Sequence, residues 1–295
     1  MALLPLLSGP PAGSSSSFPG GGPAPLLPGS AWAFGDRAGV RGLGAAPDLP
    51  EGPESGFALD GGPGGVVTVW AAAGVLAAEG TLRLHTPLGR SWTALSGHPL
   101  AAVTPHHLLT HTAGLPCGGG APDPLAVAVP VRPPSRAVEY SEHGIEVLGL
   151  LLEHLAGRPA VAVAAERVWG PLGMTGTSAG ADGGPVRSRL SDLARFLHGT
   201  LAADPVGFGP GWVYDSLRIR TGELAPPRGL CWYPAPGTAP GRGLWAHHGR
   251  GGSGLWLHPA QGTWAVLLAP PAPAGPDGGG PAAVVRDSFR RALFG

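Results

Sequence analysis

The apolar pattern changes character twice along the 295-residue chain, and this arrangement limits the available folds more than any other feature. Extended patterns stand at both ends. "GSAWAFGDRAGVRGLGAA" reads as two short strands, 30–35 and 38–43, joined by a turn at Asp36. "GLCWYPA", "LWAHHG" and "SGLWLHPAQGTWAVLLAP" read as three or four antiparallel strands, the last pair turning around residues 260–262. Between them the spacing is helical. The run "VVTVWAAAGVLAA" over 66–78 is apolar nearly all round, which predicts a central buried helix ended by Gly80. Thr104 and Pro105 begin a short helix to about Thr110, and a longer helix runs from near His143 to a stop at Gly157. In "SRLSDLARFLHGTLA", Ser191 is the expected cap, with Leu193, Phe196 and Leu197 facing the core. "PAAVVRDSFRRALF" predicts a closing helix.

Strands at both ends and helices between them predict an α+β fold, an antiparallel sheet flanked by helices with an all-helical lobe inserted. One domain over 29–295 is expected, its sheet lobe at about 29–58 and 226–295 and its helical lobe at about 59–225. Residues 1–28, rich in Ser, Gly and Pro, are expected to be a flexible, dispensable tail.

The net charge is zero and the longest basic run is Arg290-Arg291, so the chain lacks the electrostatic footprint of nucleic-acid or anionic-membrane binding. A neutral small molecule or a protein partner fits better. No apolar stretch is long enough to span a bilayer, since "GIEVLGLLLEHLAG" carries glutamates and a histidine. The first apolar run has no positive residue before it and is broken by proline, which argues against a signal peptide and leans the reading toward the cytoplasm. Cys117 and Cys231 match no metal spacing; two ordinary thiols are expected, with one disulfide as the alternative. His106, His107 and His111 lie close in sequence but have no carboxylate at a supporting spacing, so no metal and no cofactor is expected. All 19 basic residues are arginine. Any mechanism that needs a lysine amine is therefore excluded.

Five motifs in order, "TPHHLLTHTAGL", "YSEHGIEVLGLLLEHLAG", "WGPLGMTGT", "RSRLSDLARFL" and "HHGRGGSGLWLHP", resemble those of the serine β-lactamases of the class C type and of related penicillin-binding proteins, esterases and D-amino-peptidases. Weaker similarity extends back through "AAEGTLRLHTPLG" and "PGSAWAFGD". The resemblance implies a β-lactamase/transpeptidase-like fold with a cleft between sheet and helical lobe. Its chemistry needs a Ser-x-x-Lys pair at the start of the buried helix, a hydroxyl to attack a carbonyl and an amine one helical turn on.

Aligned on Phe57, the family pattern places Gly61 at the serine and Gly64 at the lysine, and no other register restores the pair. The second family motif, Tyr-x-Asn, corresponds to Tyr140, Ser141 and Glu142. Tyr140 stands where a proton shuttle would sit, although a structural phenol is an equal reading. The third corresponds to His247, His248 and Gly249, with the Arg250 N–H completing half of an oxyanion hole. Ser141, Thr68, Cys117 and Cys231 lack a base at a motif distance, so none is the expected nucleophile. Three classes of function remain open. The first is a relative that has lost acyl-serine hydrolysis and binds a ligand or partner in the remnant cleft. The second is an acid/base cyclase or isomerase using Tyr140, Glu142 and His247. The third is a hydrolase or acyltransferase with an unrecognised nucleophile.

Overall fold

The computed structural model describes residues 26–49, 51–59, 61–180, 184–235, 243–249, 251–270 and 280–295. Nearly all of the expected tail lies outside them. In chain order the elements are β1 (Ala31–Asp36), β2 (Gly39–Ala45), β3 (Phe57–Ala58), α1 (Gly61–Gly65), α2 (Ala71–Ala78), α3 (Leu88–Ser91), α4 (Pro105–Leu109), α5 (Pro124–Val127), α6 (Glu142–Ala156) and α7 (Ala160–Ala164). They continue with β4 (Arg187–Ser188), α8 (Leu190–Thr200), α9 (Gly209–Ser216), β5 (Tyr233–Pro234), β6 (Trp245–His248), β7 (Gly254–His258), β8 (Thr263–Leu268) and α10 (Pro281–Phe294). Two compact units form, one from residues up to 64, 173–202 and 248 onward, the other from 65–172 and 203–247.

The first unit is a helix–sheet–helix sandwich around antiparallel strands in the order β2-β1-β8-β7. Alternation along β1 sends Trp32 and Phe34 to one face, where the two rings stack at 5.9 Å. Phe289 of α10 packs on that face at 6.3 Å from Trp32 and 5.7 Å from Trp256 of β7. Gly42 and Gly44 of β2 leave the room these rings occupy, since a Cβ at Gly44 would lie 2.9 Å from the Trp32 indole and one at Gly42 2.5 Å from Phe34. The other face packs on α8, whose Leu193, Phe196 and Leu197 are fully buried. The expected cap of α8 is corrected here. Arg189 is the N-cap, and Ser191 lies inside the first turn with its hydroxyl donating to Glu54 at 2.7 Å. Asp192 instead accepts from the Gly176 N–H and the Thr177 hydroxyl and pairs with Arg195 at 2.9 Å.

The second unit is built around the apolar helix. α1 leads through a π-helical stretch, Val66–Trp70, into α2, with four β-branched residues or their equivalents in the wider turn. Helix therefore begins at Gly61, five residues earlier than the apolar pattern alone indicates. Trp70 is fully buried among Phe208, Trp212 and Trp232 at 5.0 to 5.9 Å. Its indole N–H donates to Ser216, and that of Trp169 donates to the Val67 carbonyl. α4 starts as expected, with Thr104 accepting from the His107 N–H and Pro105 in the first position. α6 is capped by Ser141 and ends at Gly157 in the left-handed conformation, φ 67°. Helices over 160–169 and 209–216 and the two-residue pair β3/β4 were not foreseen by periodicity. Both cysteines are free. Among the described residues no single helix is long and apolar enough to cross a membrane.

Candidate functional site

Three segments of the second unit come together around the half-buried Arg228. The first is the turn after α4. Its hydroxyls bond locally, Thr110 to the His106 carbonyl at 2.7 Å and to the Thr112 hydroxyl at 2.8 Å. The turn forces His111 into the left-handed region, φ 56°. A non-glycine residue there costs about 1–3 kcal/mol and persists only where its surroundings hold it. His111 is so held. Its Nδ1 accepts from the Ser141 N–H at 3.4 Å, its carbonyl accepts from Glu139, and its ring lies 4.8 Å from that of Tyr140.

The second segment is the start of α6. Ser141 is fully committed, its hydroxyl donating to the Pro116 carbonyl at 2.7 Å and capping the Gly144 N–H. This removes it as a displaced nucleophile. The Tyr140 hydroxyl points to Glu142 Oε1 at 3.5 Å, a long contact. Gly119 allows the loop to close on Glu142, since a Cβ there would meet the Glu142 Cβ at 2.4 Å. His143 and Glu146 form a second pair at 3.2 Å beneath the same loop.

The third segment is the turn 228–231 and the ribbon of β5 and β6 that follows it. Cys231 is also left-handed, φ 64°, and its N–H donates to the Leu109 carbonyl at 2.8 Å, fastening this turn to the end of α4. Its carbonyl accepts from Nδ1 of the buried His247 at 2.6 Å. Since a carbonyl can only accept, Nδ1 carries a proton. Burial pushes the Cys231 thiol up to about 12, so it is inert at neutral pH. The Arg228 guanidinium stands 4.4 Å above the Tyr233 ring. Burial, then Arg228 and His247, hold His111 down at about 3, so it is neutral at pH 7.

The structure thus brings Tyr140, Ser141, Glu142 and His247 into one unit, with His111, Arg228 and Tyr233. Arg228 is the residue that sequence reasoning missed, because no motif marks it; the only hint is a lone base just before the turn glycine of "RGLCW". Gly61, Gly64, His248 and Gly249 belong to the other unit, and Arg250 lies outside the described residues. In that unit the glycine run is packed. A Cβ at Gly62 would lie 2.5 Å from the His248 carbonyl oxygen and 2.7 Å from the Gly249 Cα, and one at Gly64 would sit 3.2 Å from the Leu59 carbonyl oxygen. Backbone approaches this turn closely. The His248 ring lies 5.5 Å from Trp256. Among the described residues no group of three or more His, Cys, Asp or Glu could hold a metal ion.

A helix start bearing glycines, followed by a Tyr-Ser-Glu N-cap and a His-His-Gly strand end, defines a protein of the β-lactamase/transpeptidase-like fold. The Beta-lactamase family profile matches residues 66–287, and the chain belongs to that family. Solved structures agree on the fold. A β-lactamase from Mycobacterium bovis superposes with a TM-score of 0.70 at 23% identity, over 90% of this chain and 94% of that one. D-alanine carboxypeptidase AmpC from Burkholderia cenocepacia gives 0.65 at 18%, over 90% and 93%. Simvastatin synthase from Aspergillus terreus gives 0.70 at 18%, over 90% and 93%. No curated protein matches the chain in sequence.

Proposed function

We infer that this member of the β-lactamase family no longer performs acyl-serine hydrolysis and uses the residues around Tyr140 and His247 to bind a small molecule. The observation that carries the reading is chemical. Gly61 and Gly64 occupy one face of α1, one turn apart, where the family chemistry requires a hydroxyl and an amine, and the chain contains no lysine at all. Removing a nucleophile or its base from a serine hydrolase costs on the order of a millionfold in turnover. What remains of Tyr140, Glu142 and His247 is a polar wall that can orient a ligand and hold protons.

Of the remaining hydroxyls and thiols, Ser141 is bonded on both sides and Cys231 is protonated and buried, which weighs against a displaced nucleophile. The purified full chain is expected to give no nitrocefin or p-nitrophenyl ester turnover above background and no adduct with a fluorophosphonate or penicillin probe. A product burst stoichiometric with protein, or a labelled peptide, overturns the reading.

A further inference from the structure

Arg228 is a charge in the wrong place for a purely structural residue. Its Nε is buried and has no hydrogen-bond partner among the described residues. Its backbone is anchored, the N–H to the Thr221 hydroxyl at 3.1 Å and the carbonyl to the Arg220 N–H at 2.7 Å, so the side chain leaves a fixed point. The turn that carries it is held in a strained conformation at Cys231, three residues on. Its guanidinium lies over the Tyr233 face, a contact that supplies no acceptor for Nε. The groups that act on it electrostatically are Tyr233, Tyr140 and Cys231. Cys231, pushed up to about 12, is neutral at pH 7 and does not neutralise it.

Elsewhere in the same unit arginines find carboxylates: Arg132 pairs with Glu139 at 2.6 Å, Arg220 with Asp215 at 3.2 Å, and Arg167 with Glu79 at 2.5 Å. Those pairs are exposed or half-exposed, where they matter least. Arg228, half-buried, has no carboxylate partner among the described residues, and desolvation pulls its pKa below the ordinary arginine range.

The geometry points to Arg228 as the anchor for the carboxylate of a monoanionic ligand, seated beside Tyr140, Tyr233 and His247. The inference deepens the binding function proposed above and rests on it. Arg228 brings one positive charge and His111 is neutral, which favours a monoanion over a dianion. A planar carboxylate also matches the guanidinium fork, which takes two parallel N–H···O bonds. The composition of the chain argued for a neutral ligand; the site argues for an acid.

The test uses the full chain, with sodium benzoate as probe, benzamide as its neutral isostere and inorganic phosphate as the dianion-rich control, at constant ionic strength. Isothermal titration and thermal shift are run on the parent, Arg228→Gln, Arg228→Lys and the exposed control Arg218→Gln. Saturable benzoate binding is expected in the parent and in Arg218→Gln. It should weaken tenfold or more in Arg228→Gln and recover in part in Arg228→Lys, with benzamide and phosphate binding at least tenfold more weakly than benzoate. A merely structural Arg228 predicts the opposite pattern: Arg228→Gln melts several degrees lower and Lys does not restore benzoate. Equal binding of benzoate and benzamide, or benzoate binding untouched by Arg228→Gln, overturns the inference while leaving a binding site in place. Tighter binding of phosphate, or no benzoate binding at all, overturns it as well. Failure of the parent reading has a separate signature, the product burst or covalent adduct described above, which does not depend on Arg228.

Discussion

The two units of the molecule solve different problems with the same chain. In the first, residues alternate as a sheet requires, rings fill the space that Gly42 and Gly44 leave open, and Asp192 answers its neighbours' donors. In the second, a similarly dense aromatic core around Trp70 supports a rim that breaks local rules: three left-handed non-glycine residues, His111, Ser135 and Cys231, and a neutral buried imidazole. Local inconsistency that survives in an otherwise consistent fold is where function is expected. The left-handed His111 and Cys231 mark the turn pair 108–112 and 228–231.

The largest effects should come from the two cores and should be alike in size but unlike in consequence. Trp70→Ala and Phe289→Ala each remove a fully buried ring from an aromatic cluster and should cost about 3–5 kcal/mol. Trp70 backs Trp232, whose ring meets that of His247 at 6.2 Å. Urea unfolding should therefore show similar losses, while benzoate affinity falls in Trp70→Ala and holds in Phe289→Ala. Equal loss of affinity in both would break the distinction between core and rim.

A second difference is acid sensitivity. Burial, followed by the charges of neighbours, holds His106 at about 4 and His111 at about 3, and both residues belong to the second unit. The unfolded chain binds protons at these imidazoles below about 6.5 while the folded chain resists. Stability is thus unaffected by them above pH 6.5 and falls as pH drops below it. The fall continues to about pH 3 for His111, at up to about 1.4 kcal/mol per pH unit. His106, partly exposed and screened by solvent, contributes less and levels off near pH 4. Urea midpoints measured from pH 7 to 4 should decline, and His111→Gln should flatten the decline. A flat parent profile would show that the buried ring gains protons by local opening.

Much of the frame was legible in sequence because it rests on local chemistry. Thr104-Pro105, Gly157 and the amphipathic closing helix all act through their nearest neighbours. What was not legible depends on distant partners. "GGPGG" reads as loop, since each glycine disfavours helix by about 1 kcal/mol against alanine; its helical state goes with close packing on the His248 carbonyl, which only a residue without Cβ permits. Tyr140 and His247 were found through motifs. Arg228 was not, because a half-buried cation with no carboxylate partner among the described residues is a property of three-dimensional surroundings. The positive φ of His111 and Cys231 is hidden for the same reason: neither residue type advertises it.

Two serines test the comparison at its smallest scale. Both precede or begin a helix with similar sequence signals, yet they do different things in the two units. Ser141 is a true cap, in extended conformation, accepting from the Gly144 N–H while donating to Pro116. Ser191 was expected to cap α8 but lies two residues past the cap, where the Leu193 N–H already donates to the Arg189 carbonyl, and its hydroxyl reaches Glu54 on the surface. A lost N-cap costs about 0.5–2 kcal/mol, whereas a surface hydroxyl is usually worth less than about 0.5 kcal/mol. Ser141→Ala should therefore lower the urea midpoint measurably and disturb Tyr140, its neighbour in sequence, weakening benzoate binding in step. Ser191→Ala should leave both quantities within error of the parent. The reverse order of costs would return the cap to Ser191 and show that α8 frays at Arg189 in solution, and it would remove the cap of α6 as a support for the candidate site.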